Sequence, residues 1–123
     1  MVLFGGVDLA SELRCSPDWE PLLYARQRVI HAAASTGIDV MDMPYLHIAD
    51  TDGLLCEANA AAHIGFTGKA AIHPTQLSSI HEAFTPTEEQ FCEAEKVLQA
   101  YRQSSTGVTA VSYTHLTLPT IGC

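Results

Sequence analysis

Three short segments carry side chains whose type and setting could do chemistry. Asp8 closes an apolar run, residues 1–7, and stands two residues after the Gly5-Gly6 pair, which lets a ligand approach the backbone. Its position suits two roles: a helix cap, or a metal ligand. The second segment is Asp42-Met43-Pro44-Tyr45, where a carboxylate and a phenol flank a proline. Contact with substrate or with metal-bound water stands beside a loop cap and a packing aromatic. The third is Lys69 followed by Ala70-Ala71-Ile72-His73-Pro74-Thr75-Gln76. His73 is read as a base or as a ring held by local hydrogen bonds. Lys69 is read as a partner for a phosphate or carboxylate, or as a solvated strand start.

Such residues act together only if the chain brings them to one place, and the periodicity says how. Residues 2–7, 38–43 and 69–72 are short apolar or alternating runs that read as strands, the first and third stopped by Asp8 and by His73-Pro74. Leu22, Leu23, Ala25, Val29, Ile30 and Ala33 recur at helical spacing and predict a helix over 21–35, closed near Gly37. Asp50 to Asp52 offer capping oxygens for a helix that runs through Leu54, Leu55, Ala58 and Ala61 to Gly65. A third helix carries Leu77, Ile80 and Phe84 with Thr75 as its cap. A fourth, with Phe91, Ala94, Val97, Leu98 and Tyr101, is expected to start at Pro86 with Thr85 and Glu88 as a capping box. Strands alternating with helices imply an α/β fold with parallel strands, which share one carboxyl-terminal edge where ligands bind.

Composition narrows the function. The 123 residues carry six Lys and Arg against fourteen Asp and Glu, a net charge of -8. A phosphate backbone or an anionic membrane requires clustered basic residues, so neither nucleic acid nor membrane is expected as a partner. Apolar residues make up 47% and no run approaches the roughly 20 needed to cross a bilayer. Residues 1–4 lack the basic region of a signal peptide, and the chain reads as cytoplasmic. Cys15, Cys56, Cys92 and Cys123 stand far apart without a C-x-x-C pair, which argues against a zinc knuckle.

Taken together, Phe4-Gly5-Gly6-Val7-Asp8-Leu9, Asp42-Met43-Pro44-Tyr45-Leu46 and the stretch from Gly65 to Gln76 resemble the last three strand ends of one family. It is the citrate lyase beta-subunit and malyl-CoA lyase family of the HpcH/HpaI aldolase superfamily. Leu22-Leu23-Tyr24-Ala25-Arg26 and Ala83-Phe84-Thr85-Pro86 are similar too, so the likeness runs over residues 1–110. The resemblance implies a fragment of a (β/α)8 TIM barrel, about its last three strand-helix units, from a homo-oligomeric parent. It implies magnesium as cofactor, with Asp8 as one metal ligand. A coenzyme A thioester and a 2-keto acid would be the small-molecule partners. Gly6, Val7, Asp42, Pro44, Tyr45 and His73 would then face substrate. The family's Glu ligand and substrate-clamping Arg have no match here. The expected activity is carbon–carbon bond cleavage or formation on citryl-CoA or malyl-CoA type esters in the parent, with this fragment inactive. Thioester hydrolysis on the same scaffold and a non-enzymatic binding module are the alternatives.

The stretch from Val111 to Thr120 is similar to one reading frame of an adapter used in transposase-based sequencing libraries. Residues 111–123 are therefore expected to be non-native.

Overall fold

The computed structural model describes residues 1–104. The adapter-like segment lies outside the described residues. The chain divides into two compact units, Met1–Phe84 and a second one that starts at Thr85.

The first unit is an α/β layer. Three parallel strands, β1 (Val2–Leu3), β2 (Val40–Asp42) and β3 (Gly68–Lys69), lie side by side in that order. Val2 pairs with Val40, Leu3 with Met41, Met41 with Gly68 and Asp42 with Lys69. The parallel order is the expected one, but all three strands are shorter than expected, β2 by two residues at its start and one at its end. The last β1 ladder bond is Phe4 N–H to the Met41 carbonyl, 2.8 Å. The chain then turns at Gly5 and enters helix α1 (Gly6–Leu13). Gly6, Val7 and Asp8, read as strand and strand end, are thus its first turn. The error came from Val7, whose β-branched side chain reads as strand, while Ala10, Glu12 and Leu13 are the helix formers that decide the segment. On β3 the pairing is shifted toward the N-terminus. Thr67 N–H bonds the Val40 carbonyl and Ala70 N–H that of Asp42, whereas Ile72 N–H turns to the Gln76 side chain.

Helix α2 (Trp19–Ala34) and helix α3 (Thr51–Ile64) form as the apolar spacing predicts. Asp50 caps α3 through its carboxylate on Gly53 N–H, and Gly65 ends it with a φ of 116°, a left-handed conformation that glycine tolerates. A single 3-10 turn (Pro74–Gln76) leads into helix α4 (Leu77–Phe84). Its cap is His73, which accepts from Thr75 N–H, in place of the expected Thr75.

Phe4, Leu22, Ile30, Val40, Met43, Ala61 and Phe66 form the core between sheet and helices. Phe4 and Phe66 contribute a tilted ring pair with centroids 6.3 Å apart. Fully burying a side chain such as Leu22 stabilises the fold by about 1.5–3 kcal/mol. Val40 and Asp42 stand two residues apart on β2 and so point to the same side, that of α2; Met41 points to the other.

The second unit contains helix α5 (Glu88–Gln103). Its capping box is Thr87 with Gln90, two residues later than expected: the Thr87 hydroxyl accepts from Gln90 N–H and the Gln90 amide oxygen from Thr87 N–H. Either Thr-x-x-acid/amide frame satisfied the pattern, and only backbone geometry separates them. Among the described residues no helix is long and apolar enough to cross a membrane.

Candidate functional site at the carboxyl edge of the sheet

Parallel strands place their following segments at one edge, so Val7 and Asp8 after β1, Pro44 and Tyr45 after β2, and His73 after β3 share the carboxyl edge by topology. The exposed Asp8 carboxylate sits in the first turn of α1, where a negative charge complements the helix dipole. The N-cap, Gly5, makes no side-chain cap bond to that turn. Gly6 is buried, and a Cβ there would run into the Met43 sulfur and the Phe4 ring. Internal packing therefore requires a residue without a side chain at this position, which was read from sequence as an opening for ligand.

Asp42 differs most from its expected role against substrate. It is fully buried on the helix side of β2, where both carboxylate oxygens are occupied. Oδ1 accepts from Arg26 Nε at 2.9 Å and Oδ2 from Lys69 Nζ at 2.7 Å. Lys69 Nζ also donates to the Met43 carbonyl at 2.8 Å and to Glu57 Oε1 at 2.6 Å. All three of its protons are thus used inside the protein, so Lys69 is neither solvated nor turned to a ligand. Arg26 stacks over Trp19, 4.5 Å from its ring centroid, with Phe4 at 5.5 Å. Two cations and two carboxylates balance, which is the condition for burying charge at all.

Sequence reading missed Arg26, Glu57 and Gln76 as parts of this site. A signal existed for Arg26: it stands between Leu22 and Ile30 at four-residue steps on the buried stripe of α2, and a cation there demands an acid.

Pro44 and Tyr45 line a recess together with Pro17, Asp18, His47 and Glu57. The Tyr45 hydroxyl donates to Asp50 Oδ2 at 2.7 Å, while Asp50 Oδ1 accepts from Gly53 N–H at 3.0 Å. Burial, and then the Asp50 carboxylate, push the Tyr45 phenol up to about 12. The bond from Gly53 N–H, followed by that from Tyr45, holds Asp50 below the ordinary carboxylate value. His73 is exposed and lines a separate apolar depression with Ala71, Ile72, Pro74 and Leu77. Its Nδ1 lies 2.9 Å from the Thr75 hydroxyl and accepts from Thr75 N–H. His31, His47, His63 and His81 are exposed.

Among the described residues no three His, Cys, Asp or Glu side chains converge on a metal-sized site. Asp8 nonetheless has the chemistry of a single ligand: a hard oxygen donor, exposed and not consumed by an ion pair within the described residues.

Residues 1–74 match the family model described as HpcH/HpaI aldolase/citrate lyase. Mouse mitochondrial citramalyl-CoA lyase is 39% identical over 104 residues, which cover 83% of this chain and 31% of that protein. The citrate lyase subunit beta of Leuconostoc mesenteroides is 32% identical over 99 residues, covering 78% of this chain and 33% of that protein. The chain thus spans about a third of the length of these relatives. Among solved structures, RipC from Yersinia pestis superposes with a TM-score of 0.71 at 42% identity, over 72% of this chain and 41% of that one. CitE from Mycobacterium tuberculosis, in complex with magnesium, acetoacetate and coenzyme A, gives a TM-score of 0.68 at 29% identity, over 89% of this chain and 46% of that one. The carboxyl-edge segments of β1 and β2 and nearly all of that of β3 fall inside the matched residues, and the chain belongs to the HpcH/HpaI aldolase/citrate lyase family.

Proposed function

We propose that this chain is part of a magnesium-dependent CoA-ester lyase that cleaves or forms a carbon–carbon bond between an acyl-CoA and a 2-keto acid. In this reading β1, β2 and β3 with their helices are an arc of a (β/α)8 barrel. The observation that carries it is the shared carboxyl edge, at which three adjacent parallel strands present Asp8, Tyr45 and His73 in turn. The family supports it, as do relatives named for citramalyl-CoA and citrate cleavage and a neighbour solved with magnesium and coenzyme A.

Asp8 holds the cation through its exposed carboxylate. Magnesium, when bound, supplies Lewis-acid polarisation of a substrate carbonyl. The backbone N–H groups of Gly6 and Val7, in the first turn of α1, receive the substrate carboxylate, as helix N-termini do for anions. Pro44 and Tyr45 form the wall after β2, and Tyr45 keeps its proton throughout the physiological range. At His73, Thr75 occupies Nδ1, so Nε2 is the nitrogen offered to substrate. Asp42 acts from behind the wall. Turnover belongs to the longer, homo-oligomeric parent, and the 123-residue chain alone is catalytically silent.

The test is steady-state acyl-CoA cleavage by the parent, with and without chelator, beside its Asp8→Asn variant. Both treatments are expected to lower turnover by more than about a hundredfold, since even outer-shell partners of a metal cost about 10–100-fold. The melting temperature should hold, because Asn preserves the shape of an exposed side chain. Turnover that survives chelation or the substitution would return Asp8 to the role of a charge at a helix terminus.

A further inference from the structure

Gln76 is 1% exposed, and its amide is used at both ends. Oε1 accepts from Ile72 N–H and Nε2 donates to the Tyr45 carbonyl, each at 2.9 Å. The amide orientation is fixed by these partners, because a flipped amide would set N–H against N–H and oxygen against oxygen. One bond ties the segment after β3 and the other the segment after β2. Tyr45 belongs to the wall of one recess and Ile72 to that of the other.

A second bond acts on the same stretch of backbone. Lys69 Nζ donates to the Met43 carbonyl at 2.8 Å, so both neighbours of Pro44 have their carbonyls held by side chains from the β3 side. Pro44 itself has a locked φ and no N–H. The peptide from Met43 to Tyr45 is therefore stiff at its centre and tethered at each end.

An apolar side chain would fill the Gln76 site at lower desolvation cost. What the amide adds, and Met or Leu would not, is a fixed distance between two loops. We infer that Gln76, seconded by Lys69, is a positioning residue that sets the walls after β2 and β3 relative to each other and so shapes the substrate site. The inference rests on the reading of that edge as substrate-facing.

The clamp is tested in the unmodified 123-residue chain, labelled for NMR. A scalar coupling through the hydrogen bond is expected between Gln76 Nε2 and the Tyr45 carbonyl carbon, with Ile72 N–H protected from exchange. Absence of the coupling overturns the clamp. Two variants separate the bonds. Gln76→Met removes both and should speed Ile72 exchange about tenfold. Gln76→Glu keeps the Ile72 acceptor and its protection and, once ionised in assays run at alkaline pH, presents an acceptor to the Tyr45 carbonyl. In the parent, Gln76→Glu is expected to lower kcat/KM for acyl-CoA cleavage about tenfold or more while unfolding stays cooperative. Unchanged kcat/KM in this variant overturns the positioning role even where the coupling is seen. An unmodified parent with no lyase activity overturns the functional reading instead, and the coupling alone still decides the clamp.

Discussion

Lys69 Nζ lies 2.7 Å from Asp42 Oδ2, and the two residues are register partners on adjacent parallel strands, both enclosed on the helix side of the sheet. The pair binds the sheet to its helices, because Arg26 of α2 takes the other Asp42 oxygen and Glu57 of α3 the same ammonium.

Breaking this network from one side is expected to be costly. Asp42→Asn leaves Arg26 and Lys69 buried with one carboxylate, Glu57, between them. Removing one partner of a buried pair costs about 3–5 kcal/mol, and urea unfolding should show a loss of that size. In a double-mutant cycle, Asp42→Leu with Lys69→Met should cost less than the sum of the two single changes, by up to about 3 kcal/mol. Strict additivity would show that the two charges do not act as a pair.

The Tyr45–Asp50 bond gives a pH dependence of defined sign. Tyr45 is raised from 10.0 to about 12, so the folded state keeps the phenolic proton longer than the unfolded chain. Its contribution is intact below about 10 and fades as pH rises from there toward about 12. Asp50 is shifted the other way, so its contribution is intact above 3.8 and is lost as pH falls through the lowered value. NMR titration of the Tyr45 ring should show its pKa return part of the way toward 10.0 in Asp50→Asn. No movement would assign the shift to burial and to the Glu57 and Asp18 charges instead of Asp50.

Gly6→Ala tests whether the glycine at the start of α1 serves packing. The added Cβ would overlap Met43 and Phe4 and press on Leu22 at 3.2 Å, all members of the core. Overpacking of this kind costs about 1–3 kcal/mol. Gly5→Ala is the control: a Cβ there meets nothing within 4 Å, so thermal unfolding should move far less.

What was legible in the chain followed from local periodicity and cap chemistry. Helix α2, the Asp50 cap and the Gly65 stop of α3 each depend on residues within a few turns of each other, and the parallel direction of the strands followed from their alternation with helices. Where two local signals competed, geometry chose: Thr87 over Thr85 as the α5 cap, and helix over strand from Gly6. The family was legible as well, because the segments around Asp8, Tyr45 and His73 are contiguous motifs.

The sequence by itself placed Asp8, Asp42 and His73 at or after the ends of parallel strands. It did not determine which way each side chain turns there, and a shift of one residue along a strand reverses that direction. Only the tertiary structure decided that Asp42 points with Val40 into the helix layer, 16 residues from Arg26 and 27 from Lys69 along the chain. Pairings over such separations leave no local pattern that names both partners: the buried stripe of α2 signals that Arg26 needs an acid, but only the folded elements bring Asp42 and Lys69 to it and remove the water.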